Sequence, residues 1–215
     1  MKVYFISGLG ADRRVFKNIR LPQGYEAEYL DWITPQQNEA LSHYASRLSG
    51  KIDSSEPFIL IGLSFGGMIA TEISRKMHPQ KTILISSVSS PKQLPGYFRV
   101  GSVLNVYKAI PYSTISSISF VRRFFTTESA EDRLLLYQMV KDTDPMFLRW
   151  AVGAILNWKS ESEFAPSVHI HGTSDKILPL RYTNPTHRII RAGHAMVLNR
   201  SEEISSIIAE VLGGG

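Results

Sequence analysis

Residues 58–70 read FILIGLSFGGMIA, and this stretch decides how the chain folds. The run FILIGL (58–63) is typical of a strand buried on both faces, and GGMIATEISRKM (66–77) predicts a helix. Ser64 then lies in a reversal of two or three residues between them. So tight a turn strains the serine backbone. Strand and helix can approach each other only where small residues flank the serine, and Gly62, Gly66 and Gly67 meet this requirement.

This turn gives Ser64 the surroundings of a nucleophile. Its hydroxyl projects from the carboxyl end of the sheet, beside a helix N-terminus whose free amide groups stabilise an anion. The residues Gly62-Leu63-Ser64-Phe65-Gly66 match the G-x-S-x-G pattern of a nucleophile elbow. Five such residues also occur by chance in turns, so the position between strand and helix carries the argument.

A serine nucleophile needs a general base, and the base needs a group that orients it. His194, in RAGHAMV, follows the last predicted strand, and Asp175, in HIHGTSDKILP, follows the strand before it. Both positions fall at the same end of the sheet as Ser64. The chain order Ser64, Asp175, His194 therefore predicts a catalytic triad.

An oxyanion hole would complete this site. The backbone amide of Phe65, directly after the serine, is one candidate donor. The loop Ser7-Gly8-Leu9-Gly10 after the first strand offers the amide of Leu9 as the second. Losing one such donor typically costs about 3 to 4 kcal/mol of transition-state stabilisation.

Strands and helices alternate through most of the chain, which predicts an α/β fold. The other predicted strands are KVYFIS (2–7), EAEYLDW (26–32), KTILISS (81–87), SVHIHG (167–172) and HRIIRA (187–192). The predicted helices include 38–52, with Asn38 as its candidate N-cap, then 68–77 and 202–212.

Residues 91–165 interrupt this alternation. They contain no convincing strand and many aromatic residues, and 129–144 and 144–158 are expected to form helices, the first capped by Ser129. We therefore expect one domain, with a core of residues 1–90 and 166–215 and a helical cap of residues 91–165 over one end of the sheet. The aromatic residues predict an apolar or aromatic group in the substrate.

Composition narrows the function further. The 215 residues carry a formal net charge of +5 with no basic stripe, which argues against nucleic-acid binding. There are no cysteines, which excludes disulfides, thiolate catalysis and cysteine-ligated metals and fits a cytoplasmic protein. The first residues, MKVYFISGLG, are expected to form a buried strand rather than a signal segment, and no run is long enough to span a membrane.

The elbow, the HGTSD loop and the AGH loop together resemble the α/β-hydrolase fold superfamily over nearly the whole chain. The resemblance implies a mostly parallel six-stranded sheet flanked by helices, with residues 91–165 as the variable helical cap. It implies Ser64 as nucleophile, His194 as base and Asp175 as its orienting acid, with oxyanion amides from Leu9 and Phe65 and no cofactor. The family often has His-Gly before the oxyanion residue where this chain has Ser7-Gly8, a departure that leaves the backbone donor intact.

The function predicted from these residues is hydrolysis of a carboxylic ester or thioester of a small-molecule acyl substrate through an acyl-enzyme. Amide, lactone and C–C bond hydrolases use the same residues, as do some lyases and acyltransferases. A ligand-binding protein that kept the fold and lost turnover is the alternative from another class. The oligomeric state is left open.

Three other motifs have a possible binding or cofactor role and a simpler structural one. SGLGADRR with Asp31 resembles a degenerate dinucleotide fingerprint, but Arg13 stands where close helix–strand packing needs a glycine. His169 and His171 lie on one face of a strand and are either a partial metal site or buried hydrogen-bonded histidines. Asp12 and Arg13, beside the oxyanion loop, either contact substrate or hold that loop in place.

Overall fold

The computed structural model describes residues 1–98, 129–160 and 164–213. Its centre is a six-stranded sheet with the order β2-β1-β3-β4-β5-β6, in which every neighbouring pair is parallel. The strands are β1 (Lys2–Ile6), β2 (Glu26–Tyr29), β3 (Phe58–Leu63), β4 (Lys81–Ile85), β5 (Val168–Gly172) and β6 (His187–Ile189). The predicted sheet of six mostly parallel strands is thus confirmed.

Helices cover both faces of this sheet, because the central strands are apolar on both sides. Within the described ranges the α-helices are α1 (Leu41–Leu48), α2 (Phe65–Met77), α3 (Ala130–Asp142), α4 (Pro145–Leu156), α5 (Met196–Asn199) and α6 (Ser201–Gly213). Short 3-10 helices occupy Arg13–Phe16, Ser49–Lys51, Pro91–Gln93 and Leu180–Tyr182. One core cluster joins the sheet to α3, α5 and α6, and the other joins it to α1, α2 and α4.

Strand register brings the candidate site together. Ile6 pairs with Gly62, and Leu63 pairs with Ile85, so the carboxyl ends of β1, β3 and β4 lie level. Loops that leave these ends therefore meet at one edge of the sheet.

The first helix begins later than its sequence predicts, and the expected cap is wrong. Ala40 is the N-cap residue of α1, whereas Asn38 has a φ of 54°. Asparagine tolerates this left-handed conformation better than most residues, so Asn38 serves the turn before the helix instead of capping it.

Of the predicted cap, the structure describes 91–98, 129–160 and 164–165. The two expected helices are present as α3 and α4, and Ser129 caps α3 by accepting a hydrogen bond from the Asp132 amide at 3.0 Å. The aromatic residues at 107, 112, 120, 124 and 125 lie outside the described residues. Among the described helices, none is long and apolar enough to cross a membrane.

Candidate active site

The turn around Ser64 is tighter than its sequence predicts. β3 ends at Leu63 and α2 begins at Phe65, so Ser64 alone makes the reversal. Its φ is 52° and its ψ is −117°, a conformation that a residue with a side chain rarely adopts. Such strain costs about 1 to 3 kcal/mol and persists only where the surroundings enforce it.

The flanking glycines make this turn possible. A Cβ on Gly66 would lie 2.2 Å from the carbonyl oxygens of Ile6 and Ser7, and one on Gly62 would lie 2.5 Å from the Cα of Gly67. These are backbone atoms that cannot move aside. The start of α2 therefore packs directly against the ends of β1 and β3, and Ser64 stays at the carboxyl edge of the sheet.

The structure brings the three predicted side chains together in one hydrogen-bonded chain. His194 Nε2 is 2.8 Å from Ser64 Oγ, and His194 Nδ1 is 2.7 Å from Asp175 Oδ2. The side chains of His194 and Asp175 are 3% and 0% exposed. Since the carboxylate only accepts, Nδ1 is the donor, and in the neutral tautomer Nε2 is the unprotonated nitrogen that faces the hydroxyl.

Gly172 explains why the acid and histidine loops meet. A Cβ at Gly172 would lie 2.3 Å from the Ala192 carbonyl oxygen. That same oxygen accepts a hydrogen bond from the Ser174 amide at 2.9 Å. The loop after β5 thus presses against the loop after β6, which brings Asp175 to His194.

Asp175 is held by its own loop as well as by the histidine. Its Oδ1 accepts hydrogen bonds from the amides of Ile177 at 2.8 Å and Leu178 at 2.9 Å. Burial raises the pKa of Asp175, but the interactions with His194, with His171 and with the Leu178 amide together outweigh it, so the pKa lies below its usual value. The carboxyl group is therefore ionised across the neutral pH range.

The two predicted oxyanion donors, the amides of Phe65 and Leu9, belong to segments that adjoin Ser64. Phe65 is the first residue of α2, where amide groups lack acceptors within the helix. Leu9 is the second residue of a turn closed by the Ala11 amide and the Gly8 carbonyl at 3.1 Å, a bond that does not use the Leu9 amide. Ser7 Oγ steadies the turn by donating to the Ala11 carbonyl at 2.8 Å, a contact that the sequence did not predict.

A cleft opens over Ser64 and His194. Its cavity volume is about 30 Å³. In the described part of the chain its lining comprises Gly8, Leu9, Gly10, Ala11, Val15, Leu63, Ser64, Leu136, Val140, His194, Ala195 and Val197. The contribution of α3, through Leu136 and Val140, was not predicted, because helical periodicity marks these residues only as apolar.

The aromatic residues of the predicted cap that the structure describes lie elsewhere. Trp150 donates its indole N–H to the Glu39 carbonyl at 2.9 Å, and Trp158 donates to the Glu72 carboxylate at 2.9 Å. Trp150 thereby joins α4, and Trp158 the segment after it, to the core, and among the described residues the apolar wall of the cleft is aliphatic.

Comparison with known proteins agrees with this architecture. The model of the Alpha/beta hydrolase family matches residues 3–207. The chain belongs to this family. No curated protein sequence matches this α/β hydrolase.

Solved structures that resemble this α/β hydrolase span nearly all of it. An esterase from Thermogutta terrifontis matches with a TM-score of 0.78 and 20% identity, covering 100% of this chain and 90% of that one. MenH from S. aureus matches with a TM-score of 0.76 and 17% identity, covering 100% of this chain and 94% of that one. A bromoperoxidase from Bacillus anthracis matches with a TM-score of 0.72 and 16% identity, covering 99% of this chain and 91% of that one. At these identities the likeness shows the fold alone.

The charged residues that follow the loop 7–10 form ion pairs with one another and with other segments of this hydrolase. Asp12 caps the 3-10 helix and pairs with Arg14 at 2.6 Å, and Arg14 also reaches Asp142 at the end of α3 at 2.7 Å. Arg13 pairs with Asp31 at 2.8 Å. These contacts support the loop-holding interpretation of Asp12 and Arg13.

His169 and His171 are buried side by side in β5, with Nε2 of His169 3.2 Å from Nδ1 of His171. In the described ranges, no group of three or more histidine or acidic side chains is arranged to hold a metal ion. These contacts favour the interpretation as buried, hydrogen-bonded histidines.

Proposed function

We propose that this α/β hydrolase is a serine hydrolase that cleaves a carboxylic ester or thioester through an acyl-enzyme. One observation carries the proposal: the continuous hydrogen-bonded chain from Ser64 through His194 to Asp175, built on a strained turn at the mouth of a cleft. None of these three polar groups is required for merely binding an apolar ligand. The cytoplasmic location stays a prediction from composition.

The reaction begins when Ser64 Oγ attacks the carbonyl carbon of the substrate while His194 Nε2 takes the hydroxyl proton. Asp175 keeps the imidazole in the required tautomer and stabilises the imidazolium that forms. The amides of Leu9 and Phe65 donate to the oxyanion of the tetrahedral intermediate. His194 then gives its proton to the leaving alcohol or thiol, and Ser64 keeps the acyl group.

Deacylation repeats these steps with water. His194 removes a proton from a water molecule that attacks the acyl carbon, and the second tetrahedral intermediate collapses. The carboxylic acid leaves, and the proton returns from His194 to Ser64 Oγ. No other chemical group is required for either half of the reaction.

The cleft supports a substrate with an aliphatic group next to the scissile bond. Its described walls are made by Val15, Leu63, Leu136, Val140 and Val197, and its polar groups are concentrated at Ser64 and His194. An apolar pocket with a few converging polar groups is the usual form of a small-molecule site. Two of the structurally similar proteins are named esterases, which agrees with this substrate class.

Steady-state kinetics test the proposal. The wild-type chain is assayed with p-nitrophenyl esters of increasing acyl length and with acyl-CoA thioesters. We expect turnover of at least one series, a kcat reduced by about 10⁴-fold in Asp175→Asn, and a greater loss in Ser64→Ala. The exposed Ser46 on α1 provides the matched control, since Ser46→Ala should keep full activity. Turnover that survives Ser64→Ala would contradict the proposal.

A further inference from the structure

Two histidines lie buried in β5, behind the candidate triad. His169 is 2% exposed and His171 is 0% exposed, and both side chains point to the same face of the strand. Burial, together with the neighbouring His171, lowers the pKa of His169 to about 4. Burial also lowers the pKa of His171, despite the opposing effect of Asp175. Both rings are therefore neutral at neutral pH.

The hydrogen bonds of His171 fix which nitrogen carries its proton. His171 Nε2 is 2.7 Å from the carbonyl oxygen of Leu178, which only accepts hydrogen bonds, so Nε2 is the donor. Nδ1 of the neutral ring is then the acceptor that faces His169 Nε2. Nε2 of His171 also lies 3.4 Å from Asp175 Oδ2, so its N–H dipole stabilises the carboxylate.

Leu178 connects His171 to the acid of the triad. Its amide donates to Asp175 Oδ1 at 2.9 Å, while its carbonyl accepts from His171 at 2.7 Å. Leu178 is 2% exposed, so a carbonyl deprived of His171 would be buried without this partner. The His171 imidazole thus anchors the Leu178 end of this loop to β5, while the Asp175 amide donates to the Gly172 carbonyl at the end of the same strand at 3.3 Å.

We propose that His171 is a positioning residue of the triad, which anchors the Leu178 carbonyl and thereby aims Asp175 Oδ2 at His194 Nδ1. This inference rests on the proposed function of Ser64, His194 and Asp175. His169 does not share this role. It contacts the other side of the His171 ring, and no contact described joins it to the loop that carries Asp175.

Three variants separate positioning from mere packing. His171→Leu keeps the apolar volume and removes the donor, whereas His171→Gln restores an N–H near the Leu178 carbonyl. His169→Leu is the matched control, equally buried in the same strand. We expect His171→Leu to lower kcat by about 10- to 100-fold, the size of effect seen when a metal-bound histidine loses its supporting partner. KM should stay unchanged, His171→Gln should recover most of the rate, and His169→Leu should have nearly wild-type kcat.

Proton NMR provides a readout that packing alone does not move. The far-downfield resonance of the proton between His194 Nδ1 and Asp175 should be present in the wild type and in His169→Leu, and lost or broadened in His171→Leu. Equal losses of kcat in His171→Leu and His169→Leu, or an intact resonance in a folded His171→Leu, would overturn the proposal.

A measurement on the wild-type chain covers the case in which His171→Leu does not fold. Nitrogen-15 NMR of the histidines should show His171 as the neutral tautomer protonated at Nε2, and an imidazolium or an Nδ1–H tautomer would overturn the inference. If the wild-type chain hydrolyses no ester or thioester, the proposed function fails. The two NMR measurements then still decide whether His171 positions Asp175.

Discussion

Protonation of the buried His169 should couple the stability of the fold to pH. Its pKa lies at about 4 in the folded chain, against 6.5 for an unperturbed histidine, because burial disfavours the charged ring. Between these two values the unfolded chain binds more protons than the folded chain does. The free energy of unfolding therefore rises with pH across this window, and stability falls as the pH is lowered through it.

The size of the effect follows from the two pKa values. Lowering the pH from about 7 to about 5 should reduce the free energy of unfolding by about 2 kcal/mol through His169 alone. The lowered pKa of His171 adds to this loss in the same direction. Asp175 adds little, because its lowered pKa keeps it ionised in the folded chain and its ordinary pKa of about 4 keeps it ionised in the unfolded chain over this range.

Urea unfolding followed by circular dichroism at the two pH values measures this loss. His169→Leu should show a pH dependence smaller by about 2 kcal/mol than that of the wild type. His78 provides the control, since it is exposed and has a φ of 49° that asparagine also tolerates, so His78→Asn should leave the pH dependence unchanged. Identical pH dependence in the wild type and in His169→Leu would refute the reasoning.

Three further predictions concern the elbow, the cleft and the core. Gly66→Ala should abolish esterase activity and lower the melting temperature, because the new Cβ would lie 2.2 Å from two carbonyl oxygens. Gly50→Ala is the control: a Cβ there meets open space, so activity and melting temperature should both stay unchanged. Leu136→Ala should widen the cleft and so raise kcat/KM for longer acyl esters relative to shorter ones. It should also lower the free energy of unfolding in urea by about 2 to 5 kcal/mol. An unchanged ratio of kcat/KM values would show that Leu136 does not line the acyl site. Trp158→Phe should cost about 1 to 3 kcal/mol in the same unfolding assay by removing one of the donors to buried Glu72, which also accepts from Arg75, and an unchanged stability would contradict that contact.

The sheet and the elbow could be predicted from sequence because each is encoded locally. Every residue of β3 is buried, and its continuous apolar run is the pattern of a strand covered on both faces. The glycines around Ser64 have one steric reason, the close approach of α2 to the sheet. Since parallel strands end at a common edge, the loops holding Asp175 and His194 could also be placed beside Ser64.

Contacts between distant segments could not be predicted in this way. Leu136 lines the cleft because of how α3 docks, and its periodicity alone is equally typical of an ordinary core residue. The bond from His171 to the Leu178 carbonyl depends on the path of the loop between them, which no local pattern specifies. The predicted N-cap at Asn38 is wrong because asparagine favours both N-caps and left-handed turns, and the sequence pattern does not distinguish the two.

Covalent labelling tests the central claim most directly. A fluorophosphonate reacts with a serine hydroxyl that a neighbouring base has activated, so one equivalent should attach to the folded wild-type chain, with Ser64 as the modified residue by peptide mass spectrometry. Labelling should be absent in Ser64→Ala, strongly slowed in His194→Gln and unchanged in Ser46→Ala. A folded wild-type chain that takes up no label, or that takes it up at another residue, would contradict the claim.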